Sequence, residues 1–193
     1  MIGLAWNVIG TPVIVIAAIA MLGLVGCNRA ADSSPAASVK ISLTSSAFAN
    51  GATIPKEYTA DGQNISPALA WSGVPAGTKE LALIMDDPDA PVGTWDHWLL
   101  FGIPATAVEL KAGQSAYRKG TSPSGMLEGR NSWGNNGYEG PEPPPGKPHR
   151  YIFRLYALDA PLKLSAGADK KALLKAMDGH ILAQGELIGK YGR

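Results

Sequence analysis

The chain has 193 residues, 46% of them hydrophobic, and its 17 Lys and Arg against 16 Asp and Glu leave a formal net charge of +1. That balance, with no Lys/Arg cluster interleaved with aromatics, sets aside nucleic-acid binding along a basic stripe. The 23 Gly and 15 Pro count against an all-helical protein, and a single cysteine, Cys27, excludes a disulfide within the chain.

Residues 1–26 contain no Lys, Arg, Asp, Glu or His. Such a segment is an export signal or a membrane anchor, and its aliphatic run from Val8 approaches the ~20 residues that span a bilayer as a helix. Its end, Leu24-Val25-Gly26-Cys27, resembles a bacterial lipobox, in which small residues precede a cysteine that is lipidated after cleavage. The expectation is a lipoprotein signal over 1–27, lipidated at Cys27, on an exported protein of the cell envelope; an uncleaved membrane helix is the alternative. The usual basic start of a signal is missing here. Asn28 in place of an aspartate after the cysteine favours the outer membrane where a host has two. Residues 28–38, NRAADSSPAAS, have no apolar period and read as a flexible tether. Residues 39–193 are then one domain of ordinary size.

Four apolar runs bounded by turn residues predict strands: VKISLTS from Val39, LALIMDD from Leu81, WDHWLLFGI from Trp95 and RYIFRLYAL from Arg150. The second and last are apolar on both faces, as buried strands are. Asn136-Gly137 marks a tight turn. Two helices are expected near the end: ADKKALLKAM, with Leu173, Leu174 and Met177 on one side and Gly179 as its stop, and HILAQGELIGKY, with Ile181, Leu182, Leu187 and Ile188. The fold class that follows is mainly β, two packed sheets with small peripheral and C-terminal helices, without internal repeats.

Polar chemistry gathers at strand mouths. DDPDAPVGTWDHW, Asp86 to Trp98, packs four carboxylates, two prolines and a histidine into the segment after LALIM. A period of two puts Trp95, His97 and Leu99 on one face and Asp96, Trp98 and Leu100 on the other. The same period aligns His149, Tyr151 and Phe153 directly after the stiff loop GPEPPPGKP. A lone histidine on an apolar face is more often a satisfied core residue than a ligand; two, each beside a proline-braced loop, point to a site. Asp86 and Asp96 are read as capping backbone amides, His180 as structural, and Ala90-Pro91 as a candidate cis bond.

DPDAP (Asp87 to Pro91), His97-Trp98, GYEGPEPPPGKPHRYIFRLYAL (Gly137 to Leu158), DGQNISPALAW (Asp61 to Trp71) and the tail GHILAQGELIGKYGR together resemble the phosphatidylethanolamine-binding protein family, in its bacterial Raf kinase inhibitor-like branch. The resemblance implies a β-sandwich with peripheral helices around a pocket for phosphate, phosphorylated head groups or other small anions. It carries that pocket onto Asp87, Asp89, His97, Gly140, Pro141, His149 and Tyr151. A homodimer is implied for the branch; the kinase partners of eukaryotic members are not implied for a chain with a lipobox. No cofactor and no metal are expected.

An imidazole beside a carboxylate is held in one tautomer with its cation favoured, so both histidines and Tyr151 are expected to offer donors to a phosphate. Asp87 and Asp89 would orient the histidines or accept from an amine. The expected function is binding of a small anion at the envelope, with inhibition of an unnamed partner enzyme, a protease or kinase, as its regulatory side; Trp95 and the loop NSWGNNGYEG would form the contact rim. Two alternatives stand beside it. A hydrolase could use the Asp/His pocket, although no G-x-S-x-G elbow is present. A metal could be held by Asp87, Asp89, His97 and His149. GPEPPPGK is not a phosphate-cradling loop, because its prolines lack the amides.

Overall fold

The computed structural model describes residues 40–115 and 125–193; the signal segment, Cys27 and the tether 28–38 lie outside them. The strands are β1 (Ser42–Thr44), β2 (Leu69–Ser72), β3 (Glu80–Asp87), β4 (Trp95–Pro104), β5 (Glu109–Leu110), β6 (Leu127–Glu128), β7 (His149–Leu158) and β8 (Ile181–Tyr191), with one helix, α1 (Lys170–Met177), before the last. They form a three-stranded sheet in the order β1-β2-β5 and a five-stranded sheet in the order β6-β4-β3-β7-β8.

The central place of β3 explains its composition. All eight of its residues are buried, because β4 and β7 flank it and both of its faces are covered. Leu81, Leu83 and Met85 meet Leu43, Leu69 and Trp71 of the small sheet, while Ala82 and Ile84 face the other way, toward Leu173 and Met177 of α1. Each fully buried aliphatic side chain here contributes on the order of 1.5–3 kcal/mol.

Helix α1 starts where Asp169 caps it, its carboxylate accepting from Ala172 N at 2.8 Å. It stops before Gly179, whose φ of +76° is left-handed. Leu173 and Met177 are buried as expected, whereas Leu174 is exposed. Lys170 ties the helix to the sheet: its Nζ lies 2.8 Å from Asp86 and 2.7 Å from Asp96, and Asp86 also pairs with Arg154. Asp86 and Asp96 are thus members of an ion network and not amide caps. Burial alone would lower the Lys170 pKa; the two carboxylates outweigh it and raise it.

The second expected helix is a strand. Residues 181–191 pair with β7 over the whole length from Leu158 to His149, and their inward positions are Ala183, Gly185, Leu187 and Gly189. Glycine is required at two of these. A Cβ on Gly185 would lie 2.5 Å from the Ile41 carbonyl oxygen, and one on Gly189 would lie 2.4 Å from Ile54 Cγ1. Because glycine has no side chain to mark a buried face, the period of two was hidden and Leu187-Ile188 mimicked a helical pair. All described peptide bonds, Ala90-Pro91 included, are trans.

Candidate functional site

The order β4-β3-β7 brings the end of β3 beside the starts of its two antiparallel neighbours. Asp87 pairs with Trp95 on β4, and one step beyond the Asp86–Ile152 pair it stands next to Tyr151 on β7. His97 reaches this row through a bulge. Met85 pairs with Trp98 but Asp86 pairs with Asp96, so His97 is an extra residue and alternation breaks at that point. Trp95 and His97 share the cavity as expected. Leu99, however, packs on the α1 side, while Trp98 and Leu100 join the core between the sheets. The bulge turns the imidazole toward the sandwich interior.

The cavity measures about 230 Å³ and is lined by Asp87, His97, His149 and Tyr151, by the two tryptophans Trp95 and Trp133, and by the proline turns around Pro91 and Pro144. Four of the seven residues carried over by resemblance therefore meet. Asp89 does not join them: its carboxylate accepts from Arg150 Nε (2.9 Å), Nη2 (2.8 Å) and backbone N (2.9 Å). Those bonds hold its pKa down at about 2. Gly140 and Pro141 are not among the lining residues, although the Gly140 backbone lies close to the His97 ring. Gly140 N donates to Asn64 Oδ1 at 2.7 Å, Pro141 O accepts from Ala60 N, and a Cβ on Gly140 would collide with the Tyr58 carbonyl at 2.5 Å.

Two lining groups were not singled out from the sequence. Trp133 reaches the site from the 130–136 turn and packs edge-on against Trp95 and His97 at 5.3 and 4.9 Å. Glu142 comes from the proline loop, with Arg193 Nη2 3.4 Å away. The signal for both lies in their loops, expected from sequence as a contact rim and as a stiff brace.

The polar atoms divide sharply. Asp87 is buried and fully used: Oδ2 accepts from His149 Nδ1 at 2.8 Å and Oδ1 accepts from Asp89 N at 2.8 Å. His97 Nδ1 lies 2.6 Å from the Glu139 carbonyl, an atom that only accepts, so Nδ1 carries the hydrogen. Burial pushes the His97 pKa down to about 4, against the pull of Glu139 and Asp87. The expectation that a nearby carboxylate keeps both rings cationic therefore fails at His97, where desolvation wins. Tyr151 O–H and Trp95 Nε1–H are buried without a hydrogen bond of normal geometry, although the Tyr151 hydroxyl lies near Asp87 and the Glu142 backbone. Burial first, then the Asp87 charge, raises the Tyr151 pKa, so the phenol remains a donor.

A family model described as phosphatidylethanolamine-binding protein matches residues 44–192. A UPF0098 protein of Methanothermobacter thermautotrophicus is 49% identical, over 79% of this chain and 99% of the relative. One from Aquifex aeolicus is 47% identical, over 77% and 86%. Among solved structures, a phosphatidylethanolamine-binding protein homologue of Chlamydia trachomatis superposes with a TM-score of 0.72 at 40% identity, covering 81% of this chain and 99% of that one. E. coli YbcL, described as a member of the mammalian family, gives 0.74 at 33% identity, over 80% and 99%.

Proposed function

The chain belongs to the phosphatidylethanolamine-binding protein family, and we propose that its cavity binds a small phosphorylated ligand carrying an amine, such as phosphoethanolamine, and acts by binding and not by catalysis. The observation that carries this is the pair of stranded donors. Tyr151 O–H and Trp95 Nε1–H, both on residues of the cavity wall, are buried without a well-formed hydrogen bond, a cost of about 1–3 kcal/mol each. Both atoms are covered from solvent, so a phosphoryl oxygen would supply the missing acceptor as the wall side chains shift to seat the ligand.

The charges of the wall favour a zwitterion over a bare anion. Asp87 and Glu142 line the cavity and no Lys or Arg does; with Asp87 held by His149, Glu142, which Arg193 approaches only to 3.4 Å, is the carboxylate an ammonium would meet, beside the rings of Trp95 and Trp133. The lining contains no Ser, Thr, Cys or Lys, and Asp87 and His97 Nδ1 are held by protein partners, which supports binding over hydrolysis. A metal reading has less support: Asp89 is taken by Arg150 and Asp87 by His149, and among the described residues no three His, Cys, Asp or Glu group as a ligand set.

Calorimetry tests the proposal directly. Phosphoethanolamine should bind more tightly than phosphate or ethanolamine alone; equal weakness of all three would overturn it. We place the protein at the envelope through a lipid on Cys27, a reading supported by Leu24-Val25-Gly26-Cys27. Fatty-acid labelling lost in Cys27→Ala is the expected result, and equal labelling would refute the anchor. The regulatory side of this reading is a protein contact at the cavity mouth, where Val92 and Trp133, apolar and exposed on the lining, would form the rim.

A further inference from the structure

We propose that the cavity accepts a phosphoryl group only together with one hydrogen, held between a phosphoryl oxygen and His97 Nε2, and that this makes it reject sulfate. The inference rests on the phosphate reading above and deepens it. Its basis is the way one buried ring is held.

The Glu139 carbonyl that fixes His97 Nδ1–H is itself fixed. Glu139 N donates back to His97 O at 3.1 Å, and the Glu139 carboxylate accepts from Asn131 Nδ2 at 3.1 Å and Asn135 Nδ2 at 3.3 Å. The ring is 2% exposed and set between the edges of Trp133 and Tyr151, at 4.9 and 5.1 Å. It cannot exchange its nitrogens without breaking the short bond to Glu139. Nε2 is therefore the nitrogen left to meet a ligand, with the Gly140 backbone also close to the ring, and in the neutral ring it is a lone pair.

The groups that face this ring are mostly acidic. Asp86 and Asp87 approach from β3, His149 and Tyr151 from β7, and Glu139 from the loop before it, with Glu142 on the same cavity. No Lys or Arg lines the cavity, and Arg193, the cation that acts on Tyr151, is shared with Asp61 and Glu142, so little offsets a dianion there. Burial depresses the His97 pKa to about 4, so the free site at neutral pH holds a bare acceptor where a fully ionised phosphate would place an oxygen. One proton resolves the conflict, and the ligand must bring it, because burial opposes protonation of the ring. A phosphate monoester has a second pKa of about 6 and can carry that proton; sulfate carries none near neutrality. Sites built to hydrogen-bond a ligand O–H discriminate strongly against analogues that lack it.

The test is calorimetry on the full chain with phosphoethanolamine and with sulfate, at pH 6 and pH 8, in two buffers of different ionisation enthalpy. The expected result is uptake of one proton per ligand at pH 8, monoester affinity falling about fiftyfold between pH 6 and 8 as one proton is lost above about 6, and sulfate at least about a hundredfold weaker at pH 6. Monoester bound without proton uptake, or sulfate bound equally well, overturns the inference and leaves the phosphate reading standing. No binding by the monoester at either pH overturns the phosphate reading, and this inference falls with it. Nitrogen NMR of the native histidine rings avoids dependence on a variant that fails to fold: the His97 Nε2 signal should move on monoester binding while Nδ1 stays protonated. An unmoved Nε2 in a monoester-saturated sample overturns the inference.

Discussion

Replacing Glu128 by Gln should change how stability depends on pH while leaving the fold intact. Glu128 is fully buried on β6, opposite Leu100. Its Oε2 accepts from Trp98 Nε1 at 2.9 Å, and Oε1 has no hydrogen-bond partner. Burial raises its pKa from 4.5 to about 7, with Ser115 and Trp98 pulling the other way. A folded-state pKa above the unfolded one gives stability that is complete below pH 4.5 and lost as pH rises to about 7. At about 1.4 kcal/mol per pH unit this amounts to about 3 kcal/mol. His97 works in the opposite sense: its pKa falls from 6.5 to about 4, so its contribution of about 3 kcal/mol is complete above pH 6.5 and lost as pH falls to about 4. The two oppose each other across nearly the same window. Urea denaturation of the native chain and Glu128→Gln at half-unit steps from pH 4.5 to 7.5 separates them. The variant, freed of the carboxyl, should gain about 3 kcal/mol on the native chain between pH 4.5 and 7. A stability difference that does not vary with pH would refute the claim that a proton is buried with Glu128.

Tyr151→Phe removes a buried hydroxyl that has no well-formed hydrogen bond, so urea denaturation should show stability unchanged or slightly raised, while phosphoethanolamine affinity drops about tenfold. Gly189→Ala should destabilise by about 2 kcal/mol or more, because its Cβ meets Ile54 at 2.4 Å; a helix at this position would instead gain about 1 kcal/mol from alanine. Asp89→Asn should leave ligand affinity within about twofold, since its carboxylate is spent on Arg150, and a large loss would put Asp89 back in the site.

Much of this was legible from period and punctuation. LALIMDD, WDHWLLFGI and RYIFRLYAL each lie within an observed strand, and the period of two placed His149, Tyr151 and Phe153 on one face. What escaped has physical causes. A bulge is a mismatch in count between two strands, so the alternation of β4 alone could not show that His97 is supernumerary and that Leu99 points away from it. In β8 the marks of burial are two glycines, whose meaning lies in Ile41 and Ile54, far back in the chain. The charge state of His97 likewise depends on rings brought from β7 and the 130–136 turn, which enclose it more completely than nearby carboxylates can compensate. Asp89, two residues from Asp87 in the DPDAP motif, is drawn away from the cavity by Arg150, a partner visible only once β7 is paired alongside.

The most direct measurement follows the three histidine rings by NMR while phosphoethanolamine is added to the full chain. His97 and His149 line one cavity, whereas His180 is exposed and paired with Asp159 at 2.7 Å. Saturable shifts at His97 and His149 with His180 unmoved are the predicted result. Shifts absent from the first two, or no greater than those at His180, would contradict the account.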